Sequence, residues 1–203
     1  MKKVIVFIFL VISCKSSDQI YLNQNKENFT SLLNSNSMEI QNLIPKQYEM
    51  VSVKKDGPFP YNYALKNQSN GVEIRYFIKS YKEKWEHYQE FIKNNPNAVL
   101  VKPSDEGYVQ DFILNLMNLA GENPKIQSNP LPEKVLANTF NANWGSNSLF
   151  EFDPKLKFNY KYCNLIVLHK NEMADAYIYF LGNDYRLVLE QSSEHFENVR
   201  FRK

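Results

Sequence analysis

The stretch from Phe158 to Glu190 constrains the fold most. Three segments rich in aliphatic and aromatic residues follow one another there with very short connections. Phe158–His169, Ala174–Leu181 and Tyr185–Glu190 read as strands, separated by Lys170-Asn171-Glu172 and Gly182-Asn183-Asp184, both of hairpin length. Such tight connections join antiparallel strands only, since parallel ones need a long crossover. Upstream, Val72, Ile74, Tyr76 and Ile78 alternate with Glu73, Arg75, Phe77 and Lys79, the period of a half-buried antiparallel strand. Tyr48–Val53 is a further strand, ended by the turn chemistry of Asp56-Gly57-Pro58, with Pro60–Leu65 expected to pair with it. From Tyr81 the period changes to helical. Tyr81, Trp85, Tyr88 and Ile92 form one stripe, stopped by Asn94-Asn95-Pro96. Val109, Phe112, Ile113, Leu116 and Ala120 form a second, closed by Gly121 at the C-cap. Pro132 suits the first turn of a third, carrying Val135, Leu136 and Phe140. Asn138–Ser148 reads as an Asn-rich connection, Ser192 as the cap of a helical turn, and Val199–Phe201 as a last strand. The expected class is α+β, an antiparallel sheet with helices packed on it.

The first residues concern export. Lys2 and Lys3 precede an unbroken apolar run from Val4 to Ile12, far short of the roughly 20 residues that span a bilayer. A charged start with a short apolar core is the pattern of a removable signal. Leu10-Val11-Ile12-Ser13-Cys14 resembles the lipobox of bacterial lipoproteins, with an aliphatic at −3, a small residue at −1 and the cysteine. The resemblance implies cleavage before Cys14, a diacylglyceryl thioether on its sulfur, and acylation of the freed amine. Several acyl chains at about 0.8 kcal/mol per buried methylene anchor a protein stably to a membrane. Lys15, rather than Asp, after the cysteine resembles lipoproteins released to an outer membrane. Residues 15–42 are rich in Ser, Asn, Gln and Lys and read as a flexible tether spanning about 30 Å. The expected organisation is a signal peptide over 1–13, lipidated Cys14 and tether over 14–42, and one α+β domain over 43–203.

Removing 13 of the 203 residues leaves 190, enough for one domain with a real core. The formal charge of +2 includes Lys2 and Lys3, so the mature chain is near neutral and carries no global footprint for nucleic acid. Cys14 and Cys163 are the two cysteines. With lipid on the first, neither an intramolecular disulfide nor a thiolate metal cluster is expected, and no cofactor is.

Histidines are the first place to look for catalysis. His87 lies on a polar helix face with Glu83 and Glu90, without HExxH spacing. Cys163 and His169 share the parity of one strand, but six residues at about 3.3 Å hold them near 20 Å apart, beyond proton transfer. Cys163 then reads as a small buried hydrophobe and His169 as an exposed residue at a hairpin end. His195 has Ser192 and Ser193 nearby but no G-x-S-x-G elbow. The acids Glu73, Glu151, Asp153 and Asp175 leave a carboxylate hydrolase as an alternative. The expected class is a non-enzymatic binding or assembly module of the cell envelope, with a structural subunit of an envelope complex as a third reading. The candidate ligand site is the segment holding Asn141, Asn143 and Trp144, where an indole among carboxamides suits a glycan or a peptide of an envelope protein. The competing account makes Trp144 a packed plug and the asparagines turn formers.

Asn143-Trp144-Gly145, Phe150 and Phe152, Tyr160–His169, Tyr177–Leu181, and Ser193-x-x-Phe196-x-x-Val199-x-Phe201 resemble the closing pattern of PsbP-like α/β/α sandwich proteins. The likeness covers the last third of the chain, rests on hydrophobic pattern and implies a binding or assembly role with no catalytic residues. The anchor itself is testable: Cys14→Ala should abolish lipid labelling and leave uncut precursor or soluble protein. Unchanged membrane retention in detergent-free fractions would contradict it.

Overall fold

The computed structural model describes the backbone of residues 5–55, 57–121 and 125–203, with side chains from residue 18 onward except Glu83. The side chains of the lipobox-like segment, Leu10 to Cys14, and the turn residue Asp56 lie outside the described residues. Seven strands form one antiparallel sheet in the order β2 (Tyr48–Met50), β3 (Tyr63–Asn67), β4 (Glu73–Ser80), β8 (Ala174–Gly182), β7 (Tyr162–Lys170), β6 (Trp144–Glu151), β5 (Gln127–Pro130). A separate two-stranded ribbon pairs β1 (Met38–Ile40) with β9 (Val199–Phe201). Helices α1 (Ile5–Ser35), α2 (Lys82–Asn94), α3 (Tyr108–Ala120) and α5 (Tyr185–Glu194) complete the fold, with a single turn α4 (Glu133–Val135) running into a π-helical turn at Leu136–Phe140. This is the α+β class, helices on an antiparallel sheet.

Each face of the sheet has its own core. Ile74, Tyr76, Ile166, Leu168, Ile178 and Phe180 point to one face, where Phe29 and Leu33 of α1, Val188 of α5, Phe140 and the ribbon residues Met38 and Phe201 cover them. Cys163, Leu165, Val167, Tyr177, Tyr179 and Leu181 point to the other. There they meet Phe112, Leu116 and Leu119 of α3, and Phe59 and Tyr61 from the loop before β3. Strands buried on both faces lose the polar alternation of a one-sided sheet, which is why β7 and β8 read as nearly continuous apolar runs.

Four expectations need correction. Composition places residues 15–42 in a tether, yet α1 continues to Ser35 and delivers Phe29 and Leu33 into the core, and Met38 is fully buried in the ribbon. Phe29 lies flat on Tyr63 at 4.7 Å. Phe29, Leu32 and Leu33 share one helical face by the i, i+3, i+4 rule, and that short stripe suffices because the sheet already supplies the surface it docks on. The folded unit therefore begins well before Leu43. Tyr185–Glu190 is helix, not strand. Asp184 accepts from the backbone N–H groups of Arg186 at 2.8 Å and Leu187 at 3.3 Å, an N-cap, and Val188, Gln191 and Ser192 form the buried stripe. Ser192 thus lies inside α5. Asn138–Ser148 contains the start of β6, whose Gly145 passes so close to the Val167 carbonyl that a Cβ would sit 2.8 Å from it. The expected third, shorter helix, by contrast, is present as the turn α4 and its π-helical continuation, with Pro132 at its start and Leu136 and Phe140 buried.

Gly121 closes α3 at φ +82, as expected of a C-cap glycine. Because Phe29 is 1 % exposed, Phe29→Ala should cost about 3–5 kcal/mol. A chain beginning at Leu43 should fail to unfold cooperatively in denaturant. An unchanged midpoint for either protein would contradict the docking of α1.

Candidate functional site

Register aligns one row of polar side chains across the sheet. Trp144 on β6 pairs with His169 on β7, His169 with Asp175 on β8, and Asp175 with Lys79 on β4. His169, expected to be exposed, is 1 % exposed and Asp175 is fully buried. His169 Nδ1 lies 2.7 Å from Asp175 Oδ1, and its Nε2 lies 3.1 Å from Asn171 Oδ1. Tyr108 stacks on the imidazole at 3.7 Å and 11°, which is what removes it from solvent. The Tyr81 hydroxyl donates to Asp175 Oδ2, and burial together with that carboxylate pushes the phenol well above its ordinary pKa. Lys79 reaches Asp111 at 2.5 Å and Asp175 at 3.8 Å. Both ring nitrogens and both Asp175 oxygens have partners, and among the described residues no Ser, Thr or Cys hydrogen-bonds the imidazole. A general base needs a free lone pair within reach of a substrate proton. This cluster is a closed network that fastens the β7–β8 hairpin to α3.

The predicted segment borders that network. Trp144 is half-buried, with Phe112 edge-on and Tyr108 tilted against it, each at 5.3 Å. Asn141 adopts a left-handed conformation at φ 49. It donates from Nδ2 to the Arg202 carbonyl at 2.7 Å and accepts from Lys170 Nζ at 3.1 Å. Asn143 accepts from the Asn171 backbone N–H at 3.0 Å. These contacts tie loops and strand ends together, so the geometry supports turn formation by the asparagines and packing by Trp144.

The other sequence candidates do not converge. Cys163 is fully buried at the opposite end of β7 from His169, and burial pushes its thiol well above the usual range. His87 is exposed. His195 packs edge-on against Tyr48 at 5.3 Å and meets Asn198 at 3.2 Å, and burial lowers its pKa. Glu73 and Asp175 are six positions apart along the β4–β8 register, about 20 Å at 3.3 Å per residue, whereas glycosidase carboxylates stand roughly 5–9.5 Å apart. Asp153 caps the Pro154–Leu156 turn, and Glu151 is exposed beside Lys161 at 3.5 Å. Among the described residues no group of three His, Cys, Asp or Glu side chains is placed to hold a metal.

The site that sequence reasoning missed lies at the other end of β4. A cleft of about 690 Å³ opens between the loop before β3 and the segment 156–160. At its base Arg75 Nε donates to Glu73 Oε1 at 2.5 Å, with both side chains 9 % exposed. The guanidinium is caged by the rings of Tyr61 at 4.3 Å, Phe158 at 5.3 Å and Phe59 at 5.6 Å. Such contacts strengthen when they are desolvated, to about 2 kcal/mol. Tyr160 donates its hydroxyl to Glu73 Oε2 at 2.5 Å; burial and then that carboxylate raise its pKa. The Lys54 backbone N–H donates to Tyr61 at 2.8 Å, fixing one wall. Lys54, Lys66 and Lys157 stand on the rim. Charged residues on the second face of a buried strand were the available signal, since Glu73 and Arg75 at i, i+2 must share a face.

No protein-family model matches this chain, and no curated protein matches it. The His169 network is testable on its own. His169→Ala should leave the buried Asp175 short of a donor and cost about 1–3 kcal/mol or more. Trp144→Ala should fall between the surface range of about 0.5 kcal/mol and the 3–5 kcal/mol of a fully buried aromatic. Denaturant melts read both; losses within the surface range for both would contradict the packing described.

Proposed function

We propose that the protein is a lipid-anchored, non-enzymatic binding module of the cell envelope, held on the outer membrane through Cys14, with the Arg75 cleft as its binding site. The observation that carries the reading is the buried ion pair of Glu73 and Arg75 at the base of an open cleft, clamped by three aromatic rings. A buried pair is weak evidence for stability, because hydrophobic replacements of similar volume do as well or better. Rigid, desolvated charge at the base of a cleft is instead what orients a ligand. The lipobox-like Leu10–Cys14 supports the anchor. α1 then acts as a spacer: 15 helical steps from Cys14 to the buried Phe29 span about 22 Å. Asp18, Gln19, Ile20 and Tyr21 are exposed along that arm.

A thermal-shift screen of the full chain in detergent tests the binding role. A ligand at about 100 times its Kd should stabilise the protein by about 2.7 kcal/mol. The effect should disappear in Phe158→Ala, which opens the cage wall. Stabilisation unaffected by that change would move the binding site elsewhere, and chemical conversion of the ligand would return the hydrolase reading.

A second reading has its own observation. Val99, Val101, Ile113, Leu114 and Met117 are exposed on α3 and on the loop that precedes it, and exposed apolar groups of this kind mark interaction surfaces. This supports the structural-subunit alternative. Self-association in sedimentation runs that is lost in Val99→Ser/Val101→Ser would favour it.

A further inference from the structure

We infer that the Arg75 cleft takes a phosphate-bearing ligand, held by Arg75 at the base and by Lys54, Lys66 and Lys157 at the rim. The inference rests on the cleft being the binding site and names what fills it. Among the described lining residues four cations stand against one carboxylate, Glu73. The whole precursor carries a formal charge of only +2, so the cleft concentrates positive charge that the rest of the chain balances.

The buried carboxylate is already matched. One Glu73 oxygen accepts from Arg75 Nε and the other from the Tyr160 hydroxyl. Among the described residues, the Arg75 Nη groups have no hydrogen-bond acceptor, and none of the three lysines forms an ion pair. A guanidinium whose Nε is committed still presents two Nη groups in a fixed plane, and the Tyr61, Phe158 and Phe59 rings hold that plane in place. Planar guanidinium donors match phosphate oxygens.

Lysines add compact point charges on flexible stems. Spread around a mouth of about 690 Å³, they exceed what a single carboxylate requires and suit a group bearing two or more negative charges. Low-dielectric walls and one sign of charge also focus the field and raise the local concentration of anions. Two sources share this chemistry: a soluble phosphorylated molecule, and the headgroup of an anionic phospholipid in the membrane to which the anchor ties the domain.

The test is isothermal titration of the full chain in neutral detergent with inorganic pyrophosphate and with short-chain phosphatidylglycerol. Arg75 variants leave Glu73 buried without its cation, and Lys66 pairs across the strands with Glu73 and Glu49, so the discriminating variant is K54E/K157E, which changes the rim alone. Pyrophosphate should bind, weaken as salt rises, and lose at least about tenfold in affinity in the double variant, whose melting midpoint stays unchanged. Tighter binding of phosphatidylglycerol, competing with pyrophosphate, assigns the headgroup; binding of pyrophosphate alone assigns a soluble ligand. Either supports the inference. Failure of both probes, or binding indifferent to the rim charges, overturns it. If an uncharged compound then binds and is lost in Phe158→Ala, the binding-module reading survives without its phosphate; if no compound of any class depends on Phe158, both fall.

Discussion

The pairing of β4 with β8 is the interaction on which the rest of the molecule depends. Eight residue pairs, from Glu73↔Leu181 to Ser80↔Ala174, join segments about 100 positions apart and fuse the meander β2-β3-β4 to the meander β5-β6-β7-β8. A slip of one residue would turn every side chain of β4 to the opposite face. Ile74, Tyr76 and Ile78 would leave the core under α1 and α5, and Glu73, Arg75 and Lys79 would take their places. The observed register seats Arg75 beside Tyr179, against which Phe59 stacks at 4.0 Å, and Lys79 beside Asp175. Both polar centres therefore hang from this one register.

Those centres occupy the same face of the sheet at opposite ends of β4, and they differ in one physical respect. Around His169 and Asp175 both ring nitrogens and both carboxylate oxygens are matched within the chain, and Tyr108 stacks over the imidazole. Around Arg75 the base is matched, by Glu73 and three rings, but among the described residues the rim lysines form no ion pair. A saturated buried network rigidifies a fold. Fixed charge facing an open cleft leaves interactions for something else to complete. The arm of α1 sets this cleft at a defined distance from the membrane in the proposed anchored state.

What the sequence made legible follows from range. Period-two alternation in residues 72–79, helical stripes in 81–92 and 109–120, and the C-cap glycine at 121 are local signals, and they name β4, α2 and α3 correctly. The burial of Glu73 and Arg75 is a long-range fact. Alternating charges on a strand look the same whether they meet water or the rings of Phe59 and Phe158, and those rings lie far away in sequence. His169 misleads in the same way, because Tyr108 arrives from another element to cover it. β6 is hidden because Gly145, Ser146, Asn147 and Ser148 have little strand propensity, although Ser128 on β5 meets the Ser148 hydroxyl at 2.8 Å and Ser146 at 3.2 Å. Tyr185–Glu190 is a short apolar run whose period is ambiguous, and the cap at Asp184 was the clue that decides it. α1 defeats composition because three apolar residues, docked on a face built elsewhere, suffice to fix it.

The account stands on Glu73 and Arg75 forming one desolvated unit beneath the cleft, and a double-mutant cycle measures that directly. Glu73→Gln and Arg75→Gln should each destabilise by about 3–5 kcal/mol, since each strands a buried charge. The double variant should cost less than the sum by at least about 0.5–3 kcal/mol, the range found for groups in contact. Single losses within about 0.5 kcal/mol that simply add, as for solvated surface charges, would contradict it.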